Sequence, residues 1–494
     1  MIYKILHVIF LIMFSLFLWG RGAYAQIDWG KIDKIYNKTN IDEAKKYQFL
    51  TYLFYQNRYY ISSLYFAEKH MLLVDSIEPK FEKVLENLYL KAGDDSFANM
   101  ELGKIVGLKS PTLSVALGLE LFKRKNYKDA YEILKQIPMG HKFSPESEMA
   151  LGTIANLQNK DDIAFTHYDR CQKVAQKYEK KSLFEKSRRY YAIIRETCLI
   201  HSARVKYKKE ELLQAMAVYE SIPKRSYLWP YILLEKAWGH YNQNNFNKTL
   251  GLLVTYKSPL LKNYFLPEAE VLTALAYFRL CLWKDSMEVV NRFYNFYRPQ
   301  SDSLISELNK HKNEPEYFLQ LALSGEGALK KENIYIQQLI TTSKKKIKYS
   351  LDITSLKMAQ GELEKISKEK KSPLILDLQK NLEKMVYLKK SGIEYFLREE
   401  IYNFVNEIHR FAYEMFNIKL EIMSKQRTLV YNDKELVSDR SRGDWSNLQT
   451  SADDDFWSFN GAFWADELGD YSFGLKSNCE IVESESAPAS RRRR

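Results

Sequence analysis

Glycine and proline are scarce, with 19 and 12 copies in 494 residues. Breakers this sparse leave long uninterrupted stretches, and polar and apolar residues nowhere alternate long enough for a sheet, so the composition favours helices. Only four cysteines are present (Cys171, Cys198, Cys281 and Cys479), and none forms the C-x-x-C pattern of a metal or redox site. Catalytic signatures are missing as well. There is no H-E-x-x-H, no G-x-S-x-G and no phosphate-cradling glycine loop, and no two of the eight histidines stand four apart. Glu483-Ser484 and Glu485-Ser486 lie in a polar terminus where nothing can desolvate a carboxyl. The expectation is a protein that is not an enzyme, with no cofactor and no metal.

Long apolar runs are missing too, apart from one at the start. Lys4 precedes the run Ile5 to Trp19, and Ala23-Tyr24-Ala25 places small residues where a signal peptidase reads them. Residues 1–25 therefore read as a signal peptide cleaved before Gln26, because the run is shorter than the roughly 20 residues that span a bilayer. No cysteine sits at the cleavage site, so nothing suggests a lipoprotein, and no later segment is apolar enough to span a membrane. The expected location is periplasmic or cell-surface. In an oxidising compartment the cysteines could pair, but three of them sit in helical apolar patterns, where small buried thiols are the simpler reading.

The formal net charge is +12. Basic residues concentrate in 26–299, residues 426–490 are acidic, and Arg491 to Arg494 adds four positives. Export removes nucleic acid as a partner and leaves anionic cell-wall polymer, lipid headgroups or an acidic protein segment, against the plainer reading of a solvated basic surface.

A repeat organises the middle of the chain. Leu117-Gly118 and Leu151-Gly152 stand 34 apart, and twelve residues after each glycine come Ala130 and Ala164, followed four later by Leu134 and Tyr168. The twelve-residue step returns at Ala203/Ala215, Ala237/Thr249 and Ala274/Ser286, followed by Tyr219, Leu253 and Val290. Small residues at matched positions let two helices approach closely, while the bulky residue four later fills the space toward the next pair. Pro138, Pro223, Pro259 and Pro299 punctuate unit ends.

This pattern, plainest at Leu117-Gly118…Tyr127…Ala130…Leu134…Pro138, resembles the tetratricopeptide repeat over residues 110–299. The resemblance implies an all-α solenoid of paired antiparallel helices. Thr51/Ser63/Ala67 suggest a degenerate earlier copy within 26–109. The third phased unit follows the second by about 52 residues, so the helices near 162–180 and 182–209 must be long. In the family, first-helix side chains line a concave groove that holds a partner peptide. Carried onto this chain, the groove candidates are Arg204, Lys208, Tyr241, Asn242 and Arg279, with Arg204 and Lys208 as a basic floor and solvated helix surface as the plain alternative.

Residues 300–426 read as a long helical hairpin. Leu397, Ile401, Phe404, Ile408, Phe411, Met415, Ile418 and Ile422 form a coiled-coil-like seam against a helix from Tyr335 to Ile366, or against a second copy as a homodimer through 397–422. Residues 427–452 read as a linker, 453–482 as an acidic aromatic docking segment and 483–494 as a disordered terminus. In the docking segment Trp457, Phe459, Trp464 and Leu468 are expected anchors, with Asp466, Glu467 and Asp470 facing lysine or arginine on the chain's own solenoid or on another protein. A calcium site using Asp453 to Asp455 with Asp466, Glu467 and Asp470 is a lesser reading, since the spacing is not that of an EF-hand. The expected function is a periplasmic scaffold or assembly subunit of a cell-envelope complex that binds protein partners. The alternative is a polymer binder using the basic face.

Overall fold

The turn between paired helices recurs six times and sets the architecture. The computed structural model describes residues 27–39, 41–93, 96–97, 100–101, 103, 106–261, 264, 266–329, 332, 334–431, 448 and 459–479. The expected signal peptide, Trp457 and the 483–494 terminus lie outside them. Nineteen α-helices and no strand are found among the described residues. Helix α1 (Trp29–Tyr36) precedes the hairpin of α2 (Glu43–Gln56) and α3 (Tyr60–Met71), and α4 (Pro79–Ala92) follows. Five more hairpins pair α5 (Pro111–Lys123) with α6 (Tyr127–Leu134), α7 (Ser144–Leu157) with α8 (Asp161–Lys181), α9 (Glu185–Lys208) with α10 (Leu212–Glu220), α11 (Trp229–Asn242) with α12 (Phe246–Val254), and α13 (Pro267–Arg279) with α14 (Trp283–Lys310).

Each first helix ends on a left-handed residue: Arg58, Lys125, Asn159, Glu210, Asn244 or Cys281, with φ between 56° and 64°. The next amide then donates to a carbonyl five residues back, as in Lys160 N–H to Ala155 and Asn245 N–H to His240, both 2.9 Å. None of the six is glycine, so each turn costs about 1–2 kcal/mol that the helix pair must offset. The offset comes from the small-residue step. Thr51/Ser63, Gly118/Ala130, Gly152/Ala164, Ala203/Ala215, Ala237/Thr249 and Ala274/Ser286 are all buried. Where the second member carries a hydroxyl, it bonds the carbonyl of the first: Ser63 to Thr51 at 2.8 Å, Thr249 to Ala237 at 3.3 Å and Ser286 to Ala274 at 2.8 Å. A Cβ on Gly118 would sit 2.5 Å from Leu134, and one on Gly152 2.7 Å from Tyr168, so both glycines serve close approach. The architecture is that of a TPR-like α-solenoid.

Helices α8 and α9 are long, 21 and 24 residues, as the stretched spacing requires. Cys171 and Cys198 join them in a disulfide, which replaces the expected free thiols. A second correction concerns Pro299, which does not end its unit, because α14 runs through it to Lys310. Phe293, Tyr297, Ser301 and Leu304 are buried on both sides of the proline, and burying such side chains is worth about 1.5–3 kcal/mol each against about 3 kcal/mol for an internal proline.

The region after α14 is more broken than a single hairpin. Helices α15 (Pro315–Leu323), α16 (Glu326–Leu329) and α17 (Ile334–Ser343) precede α18 (Ile347–Ser367) and the 59-residue α19 (Pro373–Tyr431). The helix expected from Tyr335 to Ile366 is interrupted at 344–346. There Thr341 and Thr342 turn their hydroxyls onto carbonyls four residues back, at 2.7 and 2.9 Å, just ahead of three consecutive lysines. The 397–422 seam is buried within the chain rather than open to a second copy. Helix α14 lies against it through Tyr294 O–H to the Ala412 carbonyl (2.6 Å) and Ser301 with His409 (3.0 Å), and α17 through Ser343 to Glu400 (3.4 Å). The homodimer expected through 397–422 therefore lacks its surface.

The chain divides into two compact units, one of residues up to Leu117 with Leu351–Lys389, the other of Gly118–Ser350 with residues from Lys390 onward. In the first unit, one carboxylate replaces a local helix cap and another gathers three side-chain donors. Glu362 accepts from the amides of Ile61 and Ser62 at 2.9 Å and from the Ser62 hydroxyl at 2.8 Å, at the start of α3. Asp377 accepts from Tyr36 (2.6 Å), Tyr65 (2.7 Å) and Lys69 (2.9 Å). Burial opposes ionisation of Asp377, yet these three donors outweigh it and hold its carboxyl below the usual range.

Glu362 behaves differently: burial pushes it up to about 7 despite its three donors. Its folded value exceeds the ordinary 4.5, so the stability it contributes is whole below pH 4.5 and is lost as pH rises to about 7. His70, driven below its ordinary value by burial, works in the opposite direction and loses stability as pH falls. Glu362→Gln should remove the carboxyl component, worth about 3 kcal/mol between the two pH limits. Urea midpoints at pH 5 and pH 8 should fall further for the wild type than for the variant.

Candidate functional site

Residues 459–479 lie along α11, α12 and the start of α14, turning through 465–470 before running on without turns, and the sequence around α12 explains why the segment fits there. Gly251 stands in the middle of α12, where a Cβ would meet the Tyr471 carbonyl oxygen at 1.9 Å. Only a bare backbone admits the tail this closely. Gly469 turns with φ +88°, rests on Trp229 and Leu233, and donates its amide to Thr255 Oγ1 at 3.2 Å. Leu468, 4 % exposed, completes a cluster with Trp229, Leu233 and Leu253, against which Phe463 and Tyr471 pack. Phe473 and Leu475 pack against Leu250, Leu280 and Leu282.

Polar contacts fix the register. The Asn247 side chain both accepts from the Leu475 amide (3.0 Å) and donates to the Leu475 carbonyl (3.1 Å), and its own carbonyl accepts from the Phe473 amide at 3.0 Å. The Asn478 amide satisfies the Leu280 carbonyl at the end of α13, at 2.9 Å. One residue on, Cys479 is disulfide-bonded to Cys281, the left-handed residue of the last hairpin turn.

The expected tail residues fare differently. Leu468 is seated, and Asp470 meets Lys224 at 2.5 Å. Asp466 reaches the same lysine through its carbonyl, while Glu467 accepts from Tyr471 within the tail at 3.4 Å. Phe459 and Trp464 are 53 % and 59 % exposed, so they are not anchors on this face. Trp457 and Asp453 to Asp455 lie outside the described residues, and the Asp470 carboxylate is paired with Lys224. The sequence reading passed over Asn247, Gly251, Thr255, Gly469 and the Cys281–Cys479 pair. A glycine inside an otherwise strong helix was the one available signal.

The five groove candidates are spent largely on neighbouring repeats. Arg204 forks onto Glu235 of the next first helix, at 3.0 and 2.6 Å, and Tyr219 donates to the same carboxylate at 2.7 Å. Those Glu235 hydrogen bonds raise the Arg204 guanidinium above its ordinary value. Lys208 bonds Asp161 (2.8 Å) and Asn159 (3.0 Å), so there is no basic floor. Asn242 donates to the Tyr207 hydroxyl, and Tyr241 meets Trp238 and Phe246 edge-on with Arg279 5.9 Å above its ring.

Beside them opens a cleft of about 620 Å³ between the first helices and α17 and α19. Tyr231, Leu266 and Phe404 give it apolar walls, and Thr342, Asn403 and Asn406 give it neutral hydrogen-bonding groups. Its charges are mixed: Lys346 is paired with Glu400, and Arg410 lies near Glu407. Burial, with added repulsion from Glu268 and Glu400, pushes Glu407 up in spite of Arg410 and Lys346. A smaller pocket of about 350 Å³ shares Tyr231 and Leu266 and extends the concavity past Arg204, Glu235 and Trp238.

No protein-family model matches the chain, and no curated protein matches it. Among solved structures it is similar to the Rap conjugation gene regulator of the plasmid pLS20 in complex with the Phr* peptide. The two share 11 % identity over 73 % of this chain and 96 % of that one, with a TM-score of 0.27.

Removing the one buried apolar side chain among the described tail residues should undock the segment, whereas trimming an exposed one should not. Leu468→Ala forfeits about 2 kcal/mol or more of packing, which should speed trypsin cleavage after the exposed Lys476 at least tenfold. Trp464→Ala should leave the rate unchanged. Timed proteolysis read by mass spectrometry checks both.

Proposed function

We propose that this chain is an exported, non-enzymatic scaffold of a cell-envelope complex, holding an extended segment of a partner protein in the cleft of its second unit. The observation that carries the reading is the lining of that cleft. Apolar walls at Tyr231, Leu266 and Phe404, side-chain amides at Asn403 and Asn406, and charges of both signs suit a polypeptide backbone with mixed side chains. Export is supported by the cysteines. All four are disulfide-bonded, which fits an oxidising compartment and the signal-peptide reading of residues 1–25.

The polymer-binding alternative is less well supported. Arg204, Lys208, Arg195 and Arg292 are each paired with a carboxylate, and Glu268, Glu400 and Glu407 around the cleft would repel a polyanion.

A photo-crosslinking amino acid at Asn403, introduced into cells, should capture a discrete polypeptide, and the same substitution at the exposed Leu183 should not. Purified protein should bind isolated cell walls weakly at every salt concentration. Tight wall binding that collapses steeply with added salt, with no crosslink from position 403, would favour the polymer binder. The mature chain should begin at Gln26 in the periplasmic fraction, and an intact leader in washed membranes contradicts cleavage before Gln26.

A further inference from the structure

The two disulfides occupy different environments. Cys171 and Cys198 are fully buried, each 0 % exposed, within the cluster of Ala175, Tyr191 and Ile194. Cys281 and Cys479 are half-buried at the edge of the last hairpin turn, where the tail ends its contact with the body. A thiolate can reach the second pair and not the first. The tail that the second pair secures also makes contacts of a particular kind. Asn247 reads the backbone of Leu475 in both directions, Gly251 admits the Tyr471 carbonyl, Trp229 and Leu233 receive Leu468, and Lys224 faces Asp470. This is how a groove reads a peptide: main-chain bonds give the register, and one apolar seat and one charge give the specificity.

We propose that the α11–α12 face is a peptide-recognition site whose resident ligand is the chain's own residues 462–479, latched by Cys281–Cys479, and that thiol–disulfide exchange at this latch opens it. The ligand class is a peptide that turns through a leucine anchor, a glycine at positive φ and an acidic residue one position after that glycine, and then continues without turns along α12. This site is separate from the cleft proposed above for the partner segment. In the exchange, a thiolate of a dithiol reductant attacks one sulfur of the pair and forms a mixed disulfide. Its second thiol resolves that bond, so the reductant leaves as a disulfide and Cys281 and Cys479 leave as thiols, with two electrons and two protons transferred. Latched, the tail holds the site at a high effective concentration and excludes peptides in trans.

The test compares oxidised wild type with Cys479→Ser and Cys281→Ser by hydrogen exchange at the amides of Phe473 and Leu475. Both variants should exchange at least tenfold faster, with the helical circular dichroism of the body retained. A fluorescent peptide of residues 462–479 carrying serine at its last position should bind the full chain with Leu468→Ala and Cys479→Ser, whose own tail is undocked. It should not bind oxidised wild type, and adding Asn247→Ala should abolish binding. If a serine variant fails to fold, wild type treated with dithiothreitol until thiol labelling shows Cys171–Cys198 intact and Cys281–Cys479 open replaces it. Unchanged exchange on opening the latch, equal peptide binding by oxidised wild type, or no peptide binding by the undocked chain overturns the proposal.

Discussion

Close approach of bare or nearly bare backbone underlies every level of this structure. Each hairpin closes where a small residue of one helix meets a small residue twelve positions on, and the left-handed turns form because that contact draws the helices together. The bulky residue four later then enters the space left by the missing side chain, as Leu134 does over Gly118 and Tyr168 over Gly152. Packing of this kind is non-directional in its energy but strict in its geometry, since an added methyl has nowhere to go. The same device recurs at Gly251, where the chain opposed to the helix is the C-terminal tail instead of a neighbouring helix.

The tail therefore belongs to the fold of the second unit. It covers Trp229 and Leu233 and supplies a donor to the open carbonyl of Leu280, and its end is covalently held to the last hairpin turn. Surfaces elsewhere in the unit are covered in comparable ways. The 397–422 seam is taken by α14 and α17, and Arg204 and Lys208 of α9 are taken by carboxylates of adjacent repeats. Among the described residues the concavity around Tyr231 and Leu266 stays open, and the functional proposal rests there.

The hairpins were legible in the sequence because their determinants are local. A twelve-residue step and a 34-residue offset can be counted without knowing anything distant, and the long α8 and α9 followed from the stretched spacing. Pro299 misled because the burial of Tyr297 and Leu304 around it depends on packing that spacing does not encode. Arg204 and Lys208 looked like a basic floor because their partners, Glu235 and Asp161, lie 31 and 47 residues away. The pairing of Cys281 with Cys479 spans 198 residues and carries no local signal. In the tail, acidity and aromatic density pointed to docking but not to which of the expected anchors would be seated. Leu468 is buried and Phe463 packs beside it because Gly469 and Gly251 bring the backbone in at that point.

Docking of the tail hinges on Gly251. In an isolated helix, replacing an interior glycine by alanine gains about 1 kcal/mol, so Gly251→Ala in a chain with a free tail should raise the melting temperature. With the Tyr471 carbonyl lying where the new methyl would stand, the substitution should instead lower the melting temperature and make the amides of residues 468–475 exchange faster. A higher melting temperature with unchanged tail exchange would contradict the docking of the tail on α12 and everything built on it.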